Sequence, residues 1–169
     1  SRKSIEYLEE MEQDIRSYEA QNKTGNKVLD AVLTSKSLYC QNNDINLTCV
    51  ADGTLLDFMA EMDISALFGN VLDNAIESVQ KLDDKEKRLI HLSVAEQKSF
   101  LRIRVENYTE EKISFRNGMP VTTKKDKHLH GFGMKSIQST VRKYGGSVTT
   151  GVRDNWFELR VLIPLNQRS

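Results

Sequence analysis

The sequence predicts a two-layer α/β sandwich (α+β): a mixed, mostly antiparallel sheet covered by helices on one face, with an extra helix at the amino-terminal end. Three observations carry this prediction. Long stretches of helical periodicity alternate with short β-branched runs, and two pairs of those runs flank tight turns, as hairpins do. No apolar run approaches the roughly 18 residues that a membrane helix needs. The chain of 169 residues, 38% hydrophobic and 28% charged, is long enough for one domain with a real core and short for two. Its 24 Lys+Arg balance 24 Asp+Glu, which argues against a whole-domain basic surface, so no nucleic-acid partner is expected. Cys40 and Cys49 make no disulfide framework and read as reduced thiols of a cytosolic protein. A first residue of Ser1 rather than Met suggests an excised fragment or a trimmed tag.

From about Ser4 to Gln21 the residues Ile5, Leu8, Met11, Ile15 and Tyr18 recur at spacings of three and four in a charged background. So narrow a stripe suits a helix that pairs with another helix. Asn22 to Asn26 interrupts it, and a second helix carries Val28, Leu29, Val32 and Leu33 to near Tyr39. Ile45 to Val50 reads as a strand closed by Asp52-Gly53. Asp63 or Ser65 is expected to cap a long helix to about Lys81. Leu89 to Ala95 and Phe100 to Glu106 form a hairpin. Residues 108–130 are polar and aperiodic, long for a plain connection. A helix opens at Gly131-Phe132-Gly133 and stops at Gly145-Gly146. Ser147 to Val152 and Phe157 to Ile163 close the chain as a hairpin.

The helix from Asp63 to Lys81 divides by face. Ile64, Leu67, Phe68, Val71, Ala75, Ile76 and Val79 form an apolar arc, while Asn70, Asn74, Glu77 and Lys81 lie together on the other side. A solvated face is the ordinary reading of any one of these residues. Two asparagines a turn apart are less ordinary, because Asn is a poor interior helix former. Its amide oxygen suits Mg²⁺ that keeps its waters and binds through substrate phosphates. Glycines before a helix let backbone approach a phosphate at unpaired N–H groups. The dinucleotide fingerprint fails, since Ser136 stands where a third glycine belongs, and no G-x-x-x-x-G-K-[ST] loop exists. Thr122, Thr123, Lys124 and Lys125, just upstream, could close over a polyphosphate or simply be a charged loop.

Together these pieces resemble the ATP-binding domain of sensor histidine kinases, in the GHKL superfamily. Asn70-Val71-Leu72-Asp73-Asn74-Ala75 resembles the N box, and Gly131-Phe132-Gly133-Met134 the second glycine box. Residues Thr24 to Leu33, then Asn74-Ala75-Ile76-Glu77, then Thr122-Thr123-Lys124 leading to His130-Gly131-Phe132-Gly133, are similar to peptide-quorum-sensing kinases of the accessory-gene-regulator type. The resemblance spans about residues 24–165. It implies a Bergerat-type sandwich over 23–169, preceded over 1–22 by the end of a dimerisation helix and its linker. It implies Asn74 as the Mg²⁺ ligand, with Asn70 near the metal and phosphates. It implies Thr122 to His130 as an ATP lid, and Gly131 and Gly133 as phosphate contacts.

The D-x-G-x-G box of that family is absent; Val105-Glu106-Asn107-Tyr108 stands in its place. Asn107 or Glu106 is left to recognise adenine. A neutral acceptor there predicts weaker, less base-selective binding. Glu77 replaces a basic residue common after the second asparagine, so phosphate charge falls to Lys124, Lys125 or Lys81. None of His91, His128 and His130 opens a phosphoacceptor-like helix, and no further ligands join His128 and His130 as a metal site. The implied activity is Mg-ATP binding and transfer of the γ-phosphate to an upstream histidine of a homodimeric, membrane-anchored bacterial kinase, cytoplasmic in this part, that serves a response regulator. The alternative is a nucleotide-binding interaction module without kinase activity.

Overall fold

The computed structural model describes residues 1–111, 115–116, 119–120 and 130–168. Four helices are described, α1 (Arg2–Gln21), α2 (Lys27–Asn42), α3 (Glu61–Gln80) and α4 (His130–Lys143). The strands are β1 (Asn46–Ala51), β2 (Leu89–Gln97), β3 (Phe100–Tyr108), the two-residue β4 (Phe115–Arg116) and β5 (Met119–Pro120), β6 (Ser147–Arg153) and β7 (Trp156–Pro164). The main sheet runs β1-β2-β3-β7-β6. Only β1 pairs in parallel, with β2; every other pair in it is antiparallel. Mixed pairing and one-sided helical cover are what the sequence predicts. β1 keeps its expected length, shifted by one residue, while the four hairpin strands run one or two residues longer than their hydrophobic cores suggest, because the hairpin ladders continue to the turns. This matters at β3, which carries Asn107 inside the sheet rather than after it.

Alternation along the strands sorts the two faces. Ile90, Leu92 and Val94 of β2, Leu101, Ile103 and Val105 of β3, and Phe157, Leu159, Val161 and Ile163 of β7 are buried under the helices. Leu29 and Leu33 of α2, the apolar arc of α3, and Ile137 and Val141 of α4 complete the core. The opposite face carries charge: Arg104 pairs with Glu106 at 2.7 Å along β3, and Arg160 with Glu158 at 2.9 Å along β7.

One expectation is corrected. α3 begins at Glu61, with Ala60 at its cap and no side chain capping it. Asp63 lies inside the first turn and its carboxylate is engaged by α4 instead. The amino-terminal helix is present, yet no residue of α1 is buried. It touches α2 through its last turns, where Ile15 and Tyr18 are half-buried, while Ile5 and Leu8 are each 58% exposed. Three of the five residues of the predicted stripe, Ile5, Leu8 and Met11, are therefore uncovered. Among the described residues no helix is long and apolar enough to cross a membrane. Burial pushes both thiols, Cys40 and Cys49, up to about 11, so they stay protonated at neutral pH.

The junction between α1 and the sandwich is tightly built. The Thr24 N–H and hydroxyl both donate to Asp30 Oδ1, at 2.8 and 2.6 Å, and Asn26 caps α2 by accepting from the Leu29 N–H at 3.0 Å. The Gly53 N–H donates to Thr24 O at 2.8 Å, and a Cβ at Gly53 would lie 2.3 Å from Thr24 Oγ1 and 2.9 Å from Asn26 N. Gly53→Ala must therefore push the junction apart. It should cost about 1–3 kcal/mol, the usual range for overpacking, or several degrees of melting temperature in a chain of this size. Thermal unfolding followed by circular dichroism measures it.

Candidate functional site

α3 sits centrally on the sheet, and its neighbours grip it on both flanks. On one flank Lys36 of α2 pairs with Asp73, and Gln80 Nε2 donates to Tyr39 Oη at 2.7 Å. On the other flank α4 is bound at two points. Asn70 Nδ2 donates to Ser136 Oγ at 3.0 Å. A turn and more from there, the Tyr144 hydroxyl and Lys143 Nζ, the latter at 2.8 Å, donate to the Asp63 carboxylate. Tyr144 Oη also accepts from the Ala60 N–H at 3.0 Å, so one phenol fastens the end of α4 to the start of α3. Phe58 meets its ring edge-on at 5.7 Å between centroids. The bonds from Lys143 and Tyr144 hold the Asp63 carboxyl below its ordinary value, and Asp63 in turn raises Lys143.

Between these grips Asn70 and Asn74 are half-buried, as is Glu77, while Lys81 is exposed at the C-cap. The polar row is thus only partly solvated, because α4 covers its beginning. Its far end meets β3. Asn107, 1% exposed, faces α3, and its Nδ2 donates to Ser78 Oγ at 3.1 Å and to Tyr108 O at 3.2 Å. Glu106, the next residue back, points to the opposite face and pairs with Arg104. Of the two candidates for base recognition, only Asn107 shares a face with α3.

Just beyond, the buried Thr109 exchanges hydrogen bonds with the β6–β7 turn. Its N–H donates to Asn155 O at 2.8 Å, and Asn155 Nδ2 donates to its carbonyl at 3.1 Å. Asp154 and Asn155 hold left-handed backbone, φ 49° and 65°, as a two-residue hairpin turn requires. Of the glycine box, residues 130–133 open α4, Gly133 is half-buried with nothing near its would-be Cβ, and Met134 packs against the core. Thr122, Thr123, Lys124 and Lys125 lie outside the described residues, as do the side chains of His130 and Phe132. His91 lies on the far face of the sheet, its ring 5.0 Å from that of Trp156.

Ser78 and Ser136 are the residues that the sequence reading missed. Ser78 was within reach of it, since Asn70, Asn74 and Ser78 follow at i, i+4 and i+8. Ser136 had no signal of its own beyond standing where a glycine was absent.

A parallel-edged five-stranded sheet under three helices, with amides at the join of two of them, defines a class. The profile of the GHKL domain family matches residues 59–164, and the chain belongs to that family. Its architecture is that of histidine kinase catalytic domains. The nucleotide-free catalytic domain of histidine kinase ThkA superposes with a TM-score of 0.63 at 17% identity, over 84% of this chain and 94% of that one. The histidine kinase AdeS of Acinetobacter baumannii superposes with a TM-score of 0.57 at 12% identity, over 96% of this chain and 80% of its own. No curated protein sequence matches the chain.

The α3–α4 fastening has a pH signature. A carboxyl held below its ordinary value of 3.8 contributes stability that is present above that value and is lost as pH falls through the depressed one. Asp63→Asn should therefore destabilise the chain at pH 7, and the gap between variant and parent should close as pH drops below about 4. Urea unfolding at pH 7 and pH 3 measures both; an equal gap at the two values would dissociate the effect from ionised Asp63.

Proposed function

We propose that this chain is the Mg-ATP-binding catalytic part of a sensor histidine kinase, of the peptide-quorum-sensing subgroup its sequence resembles. The observation that carries the reading is the amide row of α3, joined at Asn70–Ser136 to the middle of α4 and at Ser78–Asn107 to the end of β3. At Asn70 the row meets the middle of α4, which runs antiparallel to α3, so the first turn of α4, where unpaired N–H groups and the helix dipole favour phosphate, lies further along the row toward Asn74. Its far end meets a buried amide suited to a base.

Phosphoryl transfer is mostly positioning and charge neutralisation. Asn74 would hold Mg²⁺ through its amide oxygen, with Asn70 beside it. Among the described residues no three His, Cys, Asp or Glu side chains could cage a metal ion. A neutral oxygen fits Mg²⁺ that is held largely by substrate phosphates, and the ion when bound offsets their charge. Gly131 and Gly133 would receive the phosphates at the start of α4. Thr122, Thr123, Lys124 and Lys125 would close over them, with Lys81 adding charge from the end of α3. The acceptor histidine belongs to the dimerisation domain upstream. Its imidazole nitrogen bonds to the γ-phosphorus as the bond to the bridging oxygen breaks and ADP leaves, and a response regulator then takes the phosphoryl group. Residues 1–22 are read as the end of the dimerisation helix, whose uncovered Ile5 and Leu8 suit a second copy in a homodimer. The whole would be the cytoplasmic part of a membrane-anchored kinase.

Asn74→Ala should abolish most Mg-dependent ATP binding while the fold persists, since the side chain lies away from the core. Calorimetry with ATP, with and without Mg²⁺, checks this, and unchanged affinity in a folded variant would remove Asn74 from the metal site. The chain incubated with γ-labelled ATP should acquire no acid-labile phosphate by itself. Supplying the histidine-bearing dimerisation domain should restore labelling; failure there, with ATP bound, would favour an interaction module instead.

A further inference from the structure

We infer that the face of the main sheet opposite the helices is an interface with a second copy of this chain, in which the acidic row of one copy lies over the basic row of the other. The inference goes beyond the kinase reading and does not rest on it. The observation behind it is an arrangement of like charges. On that face Arg104 of β3 stands directly across from Arg160 of β7, and Glu106 directly across from Glu158. The face thus carries a basic row and an acidic row two residues, or about 7 Å, apart. Like charges directly opposite one another are destabilising. Arg104 meets Glu106 at 2.7 Å and Arg160 meets Glu158 at 2.9 Å along their own strands, yet the four side chains keep between 22% and 36% of their surface exposed. A guanidinium has five N–H donors and a carboxylate about four acceptor sites, so one ion pair saturates neither.

The pattern selects its partner. A wholly acidic surface would be repelled by the glutamates, and a wholly basic one by the arginines. A surface with both signs at the same spacing is required, and this face is itself such a surface. A two-fold axis running across the strands, midway between the rows, sets β3 over β3 and β7 over β7 in opposite directions. Glu106 then lies over Arg104 of the second copy and Glu158 over its Arg160, and symmetry repeats both contacts. The row beyond the glutamates, Tyr108 and Trp156, falls over the row of Arg102 and Leu162, a guanidinium on a phenol ring and a leucine on an indole. Gly151, paired with Glu158, falls over Thr149, paired with Arg160. A hollow of about 510 Å³ lies at Gly151, walled by Trp156, Glu158 and Arg160, and it receives the Thr149 side chain of the second copy. Sheets pack face to face about 10 Å apart with strands nearly aligned, which this axis provides. Five strands by four overlapping rows span about 24 Å by 27 Å, slightly less than the roughly 800 Å² per partner of a standard interface. The dimer is therefore a weak one.

The test is sedimentation of the chain carrying Ile5→Ser and Leu8→Ser, so that the exposed stripe of α1 makes no contact of its own, with every fold checked by circular dichroism. A monomer–dimer equilibrium is expected, with a dissociation constant of about 10–100 μM in low salt, weakening severalfold or more in about 0.5 M NaCl. Two reversed chains are made in that background, Glu106→Arg with Glu158→Arg, and Arg104→Glu with Arg160→Glu. Each alone should be monomeric, because rows of one sign then face each other. An equimolar mixture of the two should form heterodimers at least as tight as the parent dimer. Should a reversed chain fail to fold, Glu106→Gln with Glu158→Gln removes the charge at nearly constant shape and should weaken the dimer about tenfold. A parent chain still monomeric at about 1 mM overturns the proposal. So does a dimer that the charge variants leave unchanged, or a mixture of folded reversed chains that stays monomeric.

Discussion

Everything in the sandwich depends on α3 being buried along one side and polar along another. Its apolar arc, from Ile64 to Val79, is the middle of the core and touches the sheet through residues that are nearly all inaccessible. Burial of that arc is the dominant favourable term. It fixes the rotation of the helix about its own axis, and with it the direction of Asn70, Asn74 and Ser78. Rotating the helix to aim those side chains elsewhere would take Leu67 or Phe68 out of the core. The polar row is held in place by the apolar one.

The site so built is short of charge. Amides and hydroxyls dominate the described part of it, with Glu77 and Lys81 at its far end, while Asp63 and Asp73 are spent on structure and Glu106 lies on the other face. Neutral groups cost less to desolvate than ions and carry direction in their donor and acceptor halves. Asn107 shows the advantage. A carboxylate in its position would place an acceptor against Tyr108 O, whereas an amide satisfies that carbonyl and still presents an oxygen on its other side.

The fold was legible because its signals are periodic. Alternation named the inner face of β2, β3 and β7, and the spacing of three and four named the buried side of α3. What escaped was whatever depends on residues distant in sequence. The amide row was visible, but that its beginning would be covered depended on Ser136, 66 positions away from Asn70. Asp63 reads as a cap in its local context, and only Lys143 and Tyr144, brought by the packing of α4, draw its carboxylate elsewhere. Glu106 and Asn107 were indistinguishable as neighbours in a row of letters; strand β3, extending to Tyr108, sends them to opposite faces.

The charged face of the sheet bears on how the two central strands find each other. Arg104 stands directly across from Arg160, and Glu106 across from Glu158. Like charges so placed repel, and among the described residues each is paired along its own strand. Sliding β3 against β7 by two residues would keep every side chain on its face, bring Arg104 opposite Glu158, and still set apolar residues against apolar ones inside. Neither face of this pair therefore specifies its alignment. That falls to the ends: the Thr109–Asn155 exchange at one, and the Leu165 N–H donating to Ser99 O at 2.9 Å at the other. Alignment of the middle of the sheet is set like a zip, by its two stops rather than by its teeth.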